Sequence, residues 1–169
     1  MSDLANAGAA GSPVIYQSRI GVEPRSGKLK LVTMPLAAEP VRMGFHDELA
    51  AHAGLAEGAY PPTASTLDYL VAATAGCMTG VLSGALIARG IGTDEGRLKV
   101  EAIGDVEAED GILVLRRIHV VAHLIADESH RVAAERAAAH FHENCPLYRS
   151  ISAAIAITSE LDFQPAAAS

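Results

Sequence analysis

Hydrophobic and polar positions alternate in Val14 to Val22 and again in Lys28 to Met34, and this period of two predicts a pair of strands joined by a turn at Pro24-Arg25-Ser26-Gly27. Val41 to Phe45 predicts a third, short strand. From His46 to Pro62 the period is lost among Ala and Gly, so an irregular segment with about one helical turn is expected. The pattern then changes character. Tyr69 to Ala88 holds no charged residue, and Ser65-Thr66-Leu67-Asp68 ahead of it has the spacing of a capping box. A long helix is therefore predicted from Ser65 to about Arg89, ended by Gly90 or Gly92. Leu98 to Val106 predicts a strand, Glu109-Asp110-Gly111 a hairpin turn, and Ile112 to Ile125 the partner strand. On that partner, Ile118, Val120, Ala122 and Leu124 share one face and Arg117, His119, Val121 and His123 the other. Glu128 to His142 reads as an amphipathic helix, Pro146 opens a short one, and Ala154 to Phe163 closes the chain as a strand carrying Ile155 and Ile157. Strands, long helix, hairpin, helix, strand describe an α+β domain over residues 13–164, between tails at 1–12 and 165–169.

The length of 169 residues suits one well-cored domain, and the absence of Trp, with only three Phe and four Tyr, points to a core of small aliphatic groups. A formal charge of −7, from 13 Lys and Arg against 20 Asp and Glu, argues against a nucleic-acid partner. The first dozen residues lack the basic start and apolar block of a secretory signal, so a cytoplasmic location is the expectation. An uncharged run of about 20 residues is long enough to cross a bilayer, and Gly76, Gly80 and Gly84 form a small-residue ridge within it. Its richness in Ala, Thr, Ser and Gly, without a polybasic flank or second span, favours a buried central helix and no membrane role.

Cys77 and Cys145 are the only cysteines. In the cytosol a standing disulfide is uncommon and a transient one is usually catalytic or sensory. Cys77 lies within the uncharged run, where it is either a small core hydrophobe or a nucleophile. Ala73, Gly76 and Gly80 are too small to cover its sulfur. Cys145 directly precedes Pro146 at a helix start, where unpaired amides favour thiolate over thiol. Asn144 is the competing cap for that helix. The histidines do not suggest a metal site: His119 and His123 would stand about 13 Å apart on a strand, and His140 and His142 diverge on a helix. His142 is a candidate to tune Cys145.

Leu67-Asp68-Tyr69-Leu70-Val71-Ala72-Ala73-Thr74-Ala75-Gly76-Cys77 and, 68 residues after that cysteine, Asn144-Cys145-Pro146 resemble the two signatures of the OsmC/Ohr family of hydroperoxide-reducing proteins. The order of elements agrees with that family from about Val14 to Phe163. The resemblance implies antiparallel sheets packed around a long central helix, in an intertwined homodimer with active sites at the subunit interface. It implies that Cys77 is the peroxidatic thiol and Cys145 the resolving one. Cys77 would then reduce an organic hydroperoxide to its alcohol, and Cys145 would condense with the resulting sulfenic acid. The reductant implied is an external dithiol such as dihydrolipoamide or a lipoylated protein, with no flavin, haem or metal cofactor. An Arg held by a Glu activates the cysteine in the family. Arg25, in the first turn, resembles the Ohr position, and Arg42, in the third strand, the OsmC position; the strand setting favours Arg42. The chain departs from the pattern at Leu67, which stands where the Ohr branch carries the Glu. Asp68 is the neighbouring acid, already explained by the capping box. That departure motivates an alternative: a protein of the same fold that binds a small apolar ligand or senses redox state without efficient peroxidase activity.

Overall fold

The computed structural model describes residues 13–58 and 61–166, which form two compact units divided between Ala64 and Ser65. The expected tail at 1–12 lies outside the described residues, as do residues 167–169.

The first unit is a small antiparallel sheet in the order β1 (Gly21–Pro24), β2 (Lys30–Thr33), β3 (Val41–Met43). Pro35 has no N–H to give a ladder, and β2 stops at Thr33, before the expected Met34. So short a β2 pairs with only Gly21 to Pro24, so most of the expected first strand, Val14 to Ile20, has no strand pairing. The turn after β1 is a 3-10 turn, Ser26–Lys28, with Lys28 at φ +60° and the Arg25 N–H donating to Leu29 O at 2.7 Å. After β3, Gly44 N–H donates to Ala64 O and Thr63 N–H to Phe45 O. Between these pairings lies α1 (Asp47–His52), the expected short helical piece. Val32 is the one hydrophobic side chain described as buried in this unit.

The second unit is built on α2 (Thr66–Ile87) and a sheet in the order β4 (Leu98–Glu109), β5 (Ile112–Ala126), β6 (Ala156–Pro165). The capping box forms as predicted: Asp68 N–H donates to Ser65 Oγ at 3.2 Å, and Ser65 N–H to Asp68 Oδ2 at 2.6 Å. At the other end Gly90 takes φ +75° and Ile91 N–H returns to Leu86 O at 3.1 Å, the left-handed closure that glycine permits. β4 and β5 pair antiparallel through a two-residue turn in which Asp110 and Gly111 both have positive φ, as a type I′ hairpin requires.

A bulge at Arg116 shifts the β4–β5 register between Asp105 and Val106. It reverses the alternation of β5, so Leu115 and Ile118 both point into the core, followed by Val120, Ala122 and Leu124. β6 runs parallel to β5, so the sheets are antiparallel except at this edge. A parallel pairing needs a long crossover. Here it is a 3-10 turn (Glu128–His130), α3 (Arg131–His140), a second 3-10 turn (Phe141–Asn144) and α4 (Pro146–Ile151). The single helix expected over Glu128 to His142 is thus three pieces. The Asp127 side chain accepts from Ser129 N–H and tightens the start, and the second turn carries Phe141 into the core. β6 extends past Phe163 to Pro165, and Ala166 N–H still donates to Ala126 O.

α2 packs on the sheet through Thr74, Met78, Leu82 and Leu86, one residue per turn. Gly104 on β4 admits the helix closely: a Cβ there would lie 2.5 Å from Val71 Cγ2 and 3.0 Å from Leu115 Cδ1. The helix is long and apolar enough to cross a membrane by length and composition. The expected burial of this central helix is met on one side, because the sheet and crossover cover one stripe. Ala72, Ala73, Gly76, Gly80 and Gly84 are exposed.

Candidate functional site

Cys77 sits near the middle of α2, one residue before the buried Met78 and beside the exposed Gly76. Its side chain is partly covered, and a Cβ at either Gly76 or Gly80 would meet nothing within 4 Å. The space expected around its sulfur is therefore present. Cys145 closes the second 3-10 turn and is the N-cap of α4, with Pro146 in the first helical turn. Its relative exposure is 0%. The two sulfurs lie 3.3 Å apart, both as free thiols, with the Cys145 thiol directed at Cys77 Sγ. Disulfide sulfurs stand about 2.05 Å apart, so a small approach would join them.

The cap is made by the cysteine and not by Asn144, the alternative that the sequence offers. Tyr148 N–H donates to Cys145 Sγ at 3.5 Å, and Cys145 N–H donates to His142 O at 2.9 Å. The helix start was expected to favour the thiolate. Instead the Cys145 thiol is pushed up, because burial outweighs the amides of Tyr148 and Leu147, and the neighbouring Cys77 adds to the rise. Tyr148 is the contributor that sequence reasoning missed. The signal was available, since a cap side chain accepts from the second or third helical amide and Pro146 fixes the count.

The two candidate arginines belong to the other unit. Arg25 follows β1 and pairs with Glu23 Oε2 at 2.9 Å, both side chains about half exposed. Arg42, on β3 opposite Leu31, helps line a cavity of about 220 Å³ with Leu29, Phe45, Leu55 and Thr63. The structure therefore brings the two thiols together and places both arginines in the first unit, Arg42 on its sheet and Arg25 at the turn after β1. Leu67 packs against the hydrophobic core of the second unit, and Asp68 is engaged by the capping box, as its spacing suggested.

His119 and His123 project from β5 toward β6, where Nδ1 of each meets Thr158 Oγ1 at 2.8 Å and Asp162 Oδ2 at 2.9 Å respectively. His123 holds the Asp162 carboxyl below its usual range, with help from Gln164. His140 faces Glu143 at 3.3 Å, while the His142 ring lies against Tyr148. Among the described residues, no group of three or more His, Cys, Asp or Glu is placed to hold a metal ion.

Among solved structures, the chain is similar to an OsmC-like protein from Mycoplasma pneumoniae, with a TM-score of 0.67 and 12% identity over 89% of this chain and 99% of that one. It is similar to the organic hydroperoxide resistance protein OhrB of Bacillus subtilis, with a TM-score of 0.61 and 15% identity over 89% and 100%. An organic hydroperoxide resistance protein OsmC from Legionella pneumophila gives 0.58 and 12% over 89% and 99%. At these identities the likeness is one of fold. No curated protein matches the sequence significantly. The family described as OsmC-like protein matches residues 60–160, a span that holds both cysteines and more than half of the sequence. The chain belongs to the OsmC-like protein family.

Proposed function

We propose that this protein is a thiol-dependent peroxidase that reduces organic hydroperoxides to alcohols. The observation that carries the reading is the 3.3 Å separation of Cys77 and Cys145, two free thiols that the sequence holds 68 residues apart. Their unequal exposure supports one order of events. A hydroperoxide reaches Cys77, which is partly exposed, before Cys145, which is not exposed at all. The Cys77 thiolate attacks the O–O bond, the alkoxide leaves and takes a proton, and the sulfur becomes a sulfenic acid. Cys145 then attacks that sulfur and water departs, leaving a Cys77–Cys145 disulfide. An external dithiol, free or on a lipoylated protein, returns both thiols, so the cycle needs no bound cofactor. Arg42 and Arg25 are the candidates to lower the Cys77 pKa and to receive the developing alkoxide charge.

The reading extends to a cytoplasmic homodimer. The exposed, uncharged side of α2 and a small sheet with one buried hydrophobic side chain both favour a second copy of the chain as cover. The test is reductant-dependent turnover of cumene hydroperoxide with dihydrolipoamide or dithiothreitol. Wild type should turn over, Cys77→Ser should be inactive, and Cys145→Ser should stop after one oxidation and accumulate sulfinic acid. Absence of wild-type turnover with every dithiol would overturn the reading. The alternative of an apolar-ligand binder or redox sensor, motivated by Leu67, calls for a pocket without a paired Arg and sulfurs too far apart to bond; the 3.3 Å separation speaks against the second of these.

A further inference from the structure

The crossover carries a ring pair that the chemistry above leaves unused. The His142 and Tyr148 rings pack with centroids 4.8 Å apart, and His142 also meets the edge of Phe141 at 6.1 Å, where Phe141 is anchored in the core. The same two residues hold Cys145 through their backbones. His142 O accepts the Cys145 N–H, and Tyr148 N–H donates to its sulfur. Cys145 itself has extended backbone, φ −82° and ψ 117°, between a 3-10 turn and α4. It is therefore the bend between two short helical pieces, and a six-residue helix has little stiffness of its own. The ring pair bridges that bend from one side to the other.

Resting on the reading that Cys77 and Cys145 form a disulfide, we propose that His142 is a positioning residue: packed against Tyr148 at an interplanar angle of 59°, its ring holds the bend at Cys145 so that Sγ stays against Cys77. The contact raises the effective concentration of one thiol at the other. A packed aromatic pair of this kind is worth up to about tenfold in an equilibrium. The role does not depend on peroxide. It applies equally when the dithiol passes two electrons and two protons to glutathione disulfide, forming one protein S–S bond and two glutathione thiols.

The test is therefore the thiol–disulfide equilibrium of the full chain in glutathione redox buffers, read by alkylation and mass spectrometry. His142→Ala should lower the equilibrium constant about five- to tenfold, and His142→Phe, which keeps a flat ring, should stay within twofold of wild type. Tyr148→Ala should match His142→Ala, and the double variant should be no worse than either, because one contact is removed only once. A His142→Ala constant within twofold of wild type, or losses that multiply in the double variant, would overturn the assignment. Circular dichroism of the reduced proteins checks folding, and Tyr148→Ala against His142→Phe decides the matter if His142→Ala does not fold. Because no peroxide is present, a protein that forms the disulfide but fails to turn over peroxide refutes the peroxidase reading and leaves the positioning role standing. A wild type that forms no disulfide in any buffer refutes the positioning role together with the disulfide step on which it rests.

Discussion

At the scale of the residue, Cys145 sets two opposing effects against each other at one sulfur. Two backbone amides at the start of α4 favour its charged form, and removal from water favours its neutral form; burial is the larger. The helix start was legible because Pro146 marks it, but burial was not, since it depends on the tertiary packing that encloses the crossover. The sign has consequences for pH. A thiol whose pKa is raised by folding contributes stability that is present below the unfolded thiol's pKa of about 8.5 and is lost as pH rises from there through the folded value. It is also mostly protonated, hence a slow nucleophile, near neutrality. On the proposed chemistry, closure of the disulfide after one equivalent of hydroperoxide should accelerate nearly tenfold per pH unit from pH 7 to 9. Acid quenching followed by mass spectrometry measures it, and a flat profile would mean that Cys145 is already a thiolate.

At the scale of the element, α2 is the part the sequence specifies most completely, from the Ser65–Asp68 cap to the Gly90 closure. Both signals are local, and local signals survive folding unchanged. The features that were not legible depend on a partner. The bulge at Arg116 appears only when β5 is laid against β4, and it puts Leu115 and Ile118 on one face despite their odd spacing. The first strand shrank because β2 is short, not because Val14 to Ile20 lack strand character. Gly104 belongs to the same class: nothing beside it in sequence announces the close approach of Val71. Gly104→Ala should force the helix and strand apart and destabilise the protein by about 1–3 kcal/mol, read as a lower midpoint in urea with an unchanged slope. An unaltered midpoint would mean that Val71 moves aside freely.

At the scale of the whole molecule, the order of elements was readable from the sequence and the pairing of the two cysteines was only implied by the family resemblance, whereas the surface left over was not readable. Composition gave no hint that one side of an apolar helix would stand exposed along Ala73, Gly76, Gly80 and Gly84. If a second copy covers that side, wild type should sediment as a dimer, and Gly80→Glu, which places a charge on the ridge, should weaken it at least tenfold. A dimer indifferent to that charge would have to assemble elsewhere. The parallel edge of the larger sheet has another consequence, one that concerns time. Its crossover places Cys145 68 residues downstream of Cys77, ahead of β6. At about 5–20 residues per second, Cys77 leaves the ribosome roughly 3–14 s before its partner thiol does. On the proposed chemistry, an oxidant reaching the nascent chain in that interval meets a sulfur with nothing beside it to intercept the sulfenic acid. The newborn polypeptide is then the form of this protein most open to permanent oxidation.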